Sequence, residues 1–347
     1  MTTRQTPTFT ETINLSEEEQ VRVREYAEKL LAKTAIGVVT YPLTFAKTLF
    51  QLGHEPFPLT VGKVFVVAGR ETYFLPNALK YLKNVYDEAG VRTIYTGLDA
   101  GILANVTGGI FSFAADLYLD RYYPTLGGSI EPKKEEIDEE DLTDHESFKL
   151  KLREAIRDTV SRSVGIIVSR PLVVVMVREI AQLVGHEYKY TSVISALLRI
   201  GREEGPKGYF QGLVPALIAE LVTIWGSFAL RYALERALVK AQDGADEAAK
   251  KSAKDSRKLF NFVVPFVINS FSYPFALIST VMSLNGSGLA VSLLPYSPTF
   301  SHWSDAYDYF KPQHGLTRGA RLFLREQKGA VSVGSNHELY ASNKHFV

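Results

Sequence analysis

The residues of this sequence that could do chemistry by type and position are charged side chains inside apolar stretches. They are Lys47, Arg162, Arg170, Glu220 and Arg231. A charge at the centre of a bilayer costs about 2.5–3.5 kcal/mol, so such residues usually face a bundle interior or a water-filled cavity. The chemistry that they offer is electrostatic. They can bind polar or charged groups within a membrane, and no covalent reaction is required.

Other kinds of site have little support in the sequence. The chain has no cysteine, which excludes disulfides, thiolate metal sites and a cysteine nucleophile. His54 and His186 each stand beside a loop glutamate, where a loop-capping role is favoured over metal binding. The net charge of +1 gives no global field that would attract nucleic acid. We therefore predict no enzyme activity, no cofactor, no metal and no nucleic-acid partner.

Long apolar segments must position these charges. A helix needs about 20 mostly apolar residues to cross the hydrocarbon core of a bilayer. A large soluble helical protein with paired buried charges is the alternative, but each proline inside its helices would cost about 3 kcal/mol or more. Membrane bundles tolerate such prolines better. We therefore predict five membrane helices, at residues 30–52, 99–118, 156–184, 213–239 and 259–285.

An internal repeat relates two parts of the chain. Residues 88–114 align with residues 203–229 at an offset of 115. Each copy has a glutamate close before a glycine, then an aromatic-x-glycine turn. The pair Gly97-Leu98 falls on Gly212-Leu213. Repeats of this kind indicate an array of equivalent structural units.

Three prolines mark a second relation between the odd-numbered membrane segments. Pro42, Pro171 and Pro274 each lie in the lower half of an apolar stretch, where we predict that they kink the helix. Gly-His-Glu follows the first two segments, at residues 53–55 and 185–187. One unit therefore consists of a kinked membrane helix, a polar loop with a short amphipathic helix, a glycine turn and a second membrane helix. We predict the amphipathic helices at residues 75–89, 193–204 and 303–310.

This organisation resembles the mitochondrial carrier family over residues 32–325, most of the chain. Proteins of that family have three repeats of two helices. The fragments at residues 51–56, 212–215 and 294–298 are similar to the mitochondrial carrier homologs, a degenerate branch of the family. The resemblance implies an all-α membrane protein with three pseudo-repeats.

The chain departs from a transporting carrier in two respects. Carriers follow each helix proline with an acid two positions on and a base five positions on, and these charges close the transport gate. Of those six charges only Lys47 is present. After Arg325 no apolar stretch is long enough for a sixth membrane helix. We therefore expect a degenerate carrier fold of five membrane helices, with the sixth missing and a lateral polar groove open to lipid.

The same organisation predicts how the chain is divided. We expect a polar N-terminal segment (1–29), a first carrier-like repeat (30–128), an acidic insert (129–147), a second repeat (148–240), a charged connector (241–258), a truncated third repeat (259–325) and a polar C-terminal tail (326–347).

The missing helix implies that polar side chains line a groove, and we predict five: Lys47, Arg170, Glu220, Tyr273 and Thr280. Lys47 stands where carriers keep their base, although a lysine can also snorkel to the interface. Glu220 could instead form a structural ion pair with an arginine of the third membrane helix, and Arg170 could make that pair. Arg162 and Arg178 lie nearer the ends of that helix, where snorkelling would explain them.

The fifth membrane helix supplies the two uncharged residues of this set. Tyr273 and Thr280 are seven residues apart and therefore share a helical face. Packing against a neighbouring helix is the more common use of such residues.

The family resemblance implies a function in protein handling. It implies insertion of tail-anchored and other α-helical membrane proteins into the mitochondrial outer membrane, where this chain would be a multi-pass protein. Related implications are a receptor role for a pro-apoptotic Bcl-2-type protein and contact with membrane lipids that extends to lipid scrambling. A solute carrier of the mitochondrial type and a non-catalytic membrane scaffold are the alternatives.

Overall fold

A computed structural model describes residues 16–63, 69–128, 143–242, 247–293 and 297–341. Within these ranges the chain is mostly helical. The α-helices are α1 Glu17–Leu52, α2 Ala78–Ala89, α3 Val91–Ile94, α4 Leu98–Tyr122, α5 Asp144–Ala181, α6 Val193–Glu203, α7 Pro206–Tyr209, α8 Leu213–Gln242, α9 Glu247–Met282 and α10 Trp303–Phe310. Two antiparallel strand pairs accompany them: β1 Thr60–Lys63 with β2 Glu71–Phe74, and β3 Ser332–Val333 with β4 Leu339–Tyr340.

Five long helices, α1, α4, α5, α8 and α9, correspond to the predicted membrane segments, although α5 and α9 each end three residues before the predicted bound. Among the described residues, three stretches are long and apolar enough to cross a membrane: Val91–Tyr122, Pro206–Lys240 and Ser256–Met282. In the first two, only 11% of the most apolar window is buried, so most of their apolar side chains face outward, as lipid contact requires. Helices α1 and α5 are as long but do not combine the same apolarity with so few charges. That they also cross stays a prediction.

The long helices run up and down in the order α1, α4, α5, α8, α9, each packed on the next. Tyr26 near the start of α1 stacks on Phe113 near the end of α4, with ring centroids 4.2 Å apart. Phe148 at the start of α5 packs against Phe228 in the second half of α8. We call this end of the bundle, where α1, α5 and α9 begin, the entrance end. The opposite end, which carries the short helices, is the loop end.

Local signals explain where two of the long helices begin. The Ser16 hydroxyl accepts a hydrogen bond from the backbone N–H of Glu19, and the Glu19 carboxylate accepts one from the backbone N–H of Ser16. Thr143 and Glu146 form the same reciprocal capping box at the start of α5. Helix α1 therefore begins inside the predicted polar N-terminal segment. The remainder of the predicted acidic insert, residues 129–142, lies outside the described residues.

Glycines permit the closest helix contact in the bundle. A methyl group added at Gly165 on α5 would lie 2.6 Å from the backbone oxygen of Gly108 on α4. A methyl group added at Gly101 would likewise meet the side chains of Met176 and Tyr41. Membrane helices rely on such small residues because close backbone approach increases van der Waals contact.

The predicted repeats are visible in the backbone. Gly97 before α4 and Gly212 before α8 both have left-handed φ angles, 82° and 69°, which favour glycine over residues with a Cβ atom. Pro42, Pro171 and Pro274 all lie inside long helices. The predicted short helices of the three loops correspond to α2, α6 and α10. In the described residues that follow Met282 the longest helix is α10, with eight residues.

Candidate functional site

A polar cavity of about 540 Å³ lies between α5, α8 and α9 in the entrance half of the bundle. Helix α5 contributes Lys151, Glu154, Ala155, Asp158 and Arg162; α8 contributes Thr223, Ile224, Ser227, Phe228 and Arg231; and α9 contributes Pro265, Asn269 and Ser272. The α5 residues recur every three or four positions, so they form one stripe along the helix. The α9 residues do the same opposite them.

The wall of this cavity carries both signs of charge. Lys151, Arg162 and Arg231 are basic, whereas Glu154 and Asp158 are acidic. Proline cannot donate a backbone hydrogen bond, so Pro265 leaves a carbonyl of the preceding turn of α9 without its helical partner. A cavity of this composition can accept water and polar groups of either charge.

The ion pair between Arg162 and Glu220 joins α5 to α8 beside the cavity. The guanidinium of Arg162 donates to Glu220 at 3.0 Å and reaches Asp158, one turn earlier on α5, at 2.9 Å. Glu220 is therefore bonded to an arginine of the third membrane helix, which is the alternative that the sequence left open. It stands next to a residue of the cavity wall without being part of that wall.

Ion pairs and aromatic contacts also hold the helices together at the entrance end. Arg236 on α8 donates to Asp144 at the start of α5 at 3.1 Å. Arg257 on α9 lies 2.7 Å from Glu235 on α8. These contacts join the three helices that line the cavity, so they hold the cavity together at the entrance end.

Arg170 lies deeper, towards the loop end, and is only 4% exposed. Its guanidinium donates to the carbonyl of Gln211 at 2.8 Å, to the carbonyl of Ser279 at 3.1 Å and to the Ser283 hydroxyl at 2.8 Å. It therefore joins α5 to the turn before α8 and to the end of α9. Ser279 in turn donates to the carbonyl of Gly212 at 2.9 Å.

The other three residues predicted for the groove lie on α1 and α9. The ammonium group of Lys47 is 5.5 Å from the centroid of the Tyr273 ring. The Tyr273 hydroxyl donates to the carbonyl of Arg318 at 2.6 Å and accepts from the Gln51 amide at 3.3 Å. Thr280 bonds to the carbonyl of Ala276 within its own helix. That these residues, with Arg170 and Glu220, line a lateral groove stays a prediction.

Arg178 forms a buried ion pair that was not predicted from the sequence. Snorkelling was expected, yet Arg178 is fully buried, so that expectation is wrong. Its guanidinium forms an ion pair with Glu204 and donates to the carbonyls of Ser283 and Asn285 at 2.9 and 3.0 Å. Glu204, which precedes Gly205 in the repeat alignment, was the signal in the sequence for this ion pair, because an acid held at a turn needs a base nearby.

Helices α1 and α9 form the two edges of the bundle. They touch at the loop end, where Lys47 and Gln51 meet Tyr273. Towards the entrance end both expose large apolar side chains: Val39 of α1 is 77% exposed and Phe262 of α9 is 81% exposed. In a membrane such surfaces face lipid.

Comparison with known proteins gives consistent matches over most of the chain. The family model described as mitochondrial carrier protein matches residues 29–125 and 157–242. Mitochondrial carrier homolog 2 of Mus musculus is 27% identical over 301 residues, which cover 86% of this chain and 94% of that protein. The same protein of Homo sapiens matches with the same identity and coverage. Mitochondrial carrier homolog 1 of Mus musculus is 29% identical over 324 residues, covering 89% of this chain and 78% of that protein.

Proposed function

We propose a function from one premise: the chain belongs to the mitochondrial carrier protein family, in its branch of mitochondrial carrier homologs. It is a helical mitochondrial membrane protein with apolar helices that can span a bilayer. We propose that it is a multi-pass protein of the outer membrane and that it inserts tail-anchored and other α-helical proteins there.

The observation that supports this proposal best is the mixed-charge cavity between α5, α8 and α9. A client segment that enters a bilayer must carry its polar end past the hydrocarbon, at about 2.5–3.5 kcal/mol for each charge at the centre. Arg162 and Asp158 lie on α5 within the predicted membrane segment 156–184 and offer that end hydrogen bonds and charges of both signs. The apolar part of the client can remain in lipid beside the cavity, so a lower barrier to insertion follows.

An opening on one side of the bundle, which we infer between α1 and α9, would support the same proposal. A closed six-helix barrel would exclude a client helix from its interior. Here α10, with its eight residues, is the longest helix in the described residues after Met282, and eight residues cannot cross a bilayer. Access from lipid between α1 and α9 would let the client leave sideways once its polar end has crossed.

Solute transport has less support. The positions at which carriers keep gate charges hold uncharged residues in the second and third repeats, namely Val173, Met176, Ala276 and Ser279. Ser279 donates to a backbone carbonyl and cannot form a gate ion pair. Lipid scrambling, a receptor role for a Bcl-2-type protein and a scaffold role remain alternative proposals for the same cavity and surface.

The test is insertion of a fluorescent tail-anchored protein into liposomes that contain the purified chain. We expect insertion several times faster than in empty liposomes. Glu220→Arg should change the rate because it replaces the 3.0 Å ion pair with Arg162 by two neighbouring cations, and Lys47→Glu should change it if that residue faces the client path. The matched controls are Asp87→Arg and Lys83→Glu, which make the same charge changes on the exposed face of α2.

Three outcomes are informative. Equal rates in protein-containing and empty liposomes would remove the insertase proposal and favour a receptor or scaffold. Equal effects of Glu220→Arg and its α2 control Asp87→Arg would show that the charges beside the cavity are not on the client path. Saturable uptake of a small solute by the same liposomes would favour the carrier alternative.

A further inference from the structure

The chain after α10 returns to the first repeat and covers the loop end of the bundle. We call residues 318–341 the C-terminal strap. The backbone N–H of Ala78 donates a hydrogen bond to the carbonyl of Leu322 in the strap at 2.7 Å. The N–H of Leu75 donates to the carbonyl of Arg325 at 2.8 Å. The backbone N–H of Gln327 donates to the carbonyl of Tyr73 in β2 at 2.8 Å. The strap therefore extends the β1–β2 hairpin and follows the start of α2.

Two arginines fasten the strap to the ends of α1 and α9. Arg318 donates to the carbonyl of Gln51 at 2.8 Å, while its own carbonyl accepts from Tyr273 at 2.6 Å. Arg325 is buried; it forms an ion pair with Glu55 and stands 3.3 Å from the centroid of the Phe50 ring. The strap thus contacts both edge helices where Gln51 of α1 meets Tyr273 of α9.

We propose that the C-terminal strap closes the seam between α1 and α9 at the loop end, so that the bundle opens to water at its entrance end alone. The proposal concerns the closed end of the bundle. It holds whether or not the cavity inserts clients, because its test measures only access of water-borne reagents.

Because Glu55 is buried and paired with Arg325, removal of Arg325 is the substitution that we expect to detach the strap. One carboxylate oxygen of Glu55 binds Arg325 and the other has no hydrogen-bond partner among the described residues. Burial raises the pKa of Glu55 to about 7 in spite of the neighbouring arginines. Loss of Arg325 would leave this carboxyl group buried without its cation, a strongly unfavourable state. Opening of the strap would rehydrate it.

The absence of native cysteines allows a direct test. Thr48→Cys places a nearly isosteric thiol on the buried face of α1, one turn before the strap contacts. Its reaction with a membrane-impermeant maleimide is measured in nanodiscs, where both ends of the bundle meet water. Three backgrounds are compared: the otherwise unchanged chain, Arg325→Gln, and Arg321→Gln as a matched control, since Arg321 is an exposed arginine of the same strap.

We expect slow labelling in the first and third backgrounds and labelling at least about tenfold faster with Arg325→Gln, since the rate follows the population of the opened state. A second variant excludes general unfolding. Phe74→Cys with Glu326→Cys joins directly bridged residues of β2 and the strap; after oxidation it should restore slow labelling in the Arg325→Gln background. Labelling that is unchanged by Arg325→Gln, or that stays fast after the disulfide has formed, would overturn the proposal.

Discussion

The contact between Gly108 and Gly165 gives the sharpest prediction about how the bundle is held. The methyl group of Gly165→Ala would lie 2.6 Å from the Gly108 oxygen, about 0.8 Å inside the 3.4 Å at which ordinary contacts begin. Backbone cannot move aside as a side chain can, so α4 and α5 must separate. Overpacking of this kind costs about 1–3 kcal/mol.

A matched control isolates that cost. Gly37 also lies inside a long helix, but a methyl group there meets no atom within 4 Å. Both substitutions gain about 0.5–1 kcal/mol of helix propensity, so this gain cancels in the comparison. We expect the free energy of unfolding of Gly165→Ala to fall about 1–3 kcal/mol below that of Gly37→Ala.

The assay is reversible unfolding in detergent micelles, followed by circular dichroism and by the fluorescence of the two tryptophans, Trp225 on α8 and Trp303 on α10. Wild type and both variants are measured at one detergent concentration. Equal unfolding midpoints for the two variants would refute the reasoning, because they would mean that α4 and α5 are not in backbone contact at these glycines.

Three further predictions use the same assay. Arg178→Gln should lower the free energy of unfolding by about 3–5 kcal/mol because it leaves Glu204 buried without its cation, whereas Arg202→Gln, on the exposed side of α6, should change it by less than about 0.5 kcal/mol. Tyr26→Phe should cost about 0.5–1.5 kcal/mol, since it removes the 3.0 Å hydrogen bond to the α4 backbone and keeps the ring stacking. Burial raises the pKa of Glu55 from 4.5 to about 7, so the folded state binds this proton more tightly. The stabilisation present below pH 4.5 should therefore be lost as the pH rises through 7, and Glu55→Gln should lack that part of the pH dependence.

Local composition was enough to predict the main elements of the fold. The five long helices correspond to the predicted segments to within a few residues, because an apolar run in a bilayer satisfies its backbone hydrogen bonds internally as a helix. The capped starts at Ser16 and Thr143 extend two of them further than hydropathy alone indicates, since a capping box stabilises a helix made of polar residues. The repeats were equally local signals, because each depends on a glycine turn or a proline at a constant spacing.

The partners of the charged residues were not predictable in the same way. The sequence offered several acids and bases for every candidate pair, and burial decides which pairing is stable. Arg178 was expected at the interface and is instead buried against Glu204; Glu220 has Arg162 as its partner rather than Arg170. A side chain on a helix of known register still has several possible neighbours until the order and contacts of the helices are known.

The amino-acid sequence by itself determined that this protein is a helical membrane protein of the carrier type, lacks five of the six carrier gate charges and carries charges within its apolar segments. Only the tertiary structure decided where those charges meet: a cavity between α5, α8 and α9, and a strap in which Arg325 binds Glu55, 270 residues earlier in the chain. The physical reason is the range of the forces involved. Hydrophobic periodicity and capping act over a few residues, whereas ion pairs and cavities depend on which distant segments pack together.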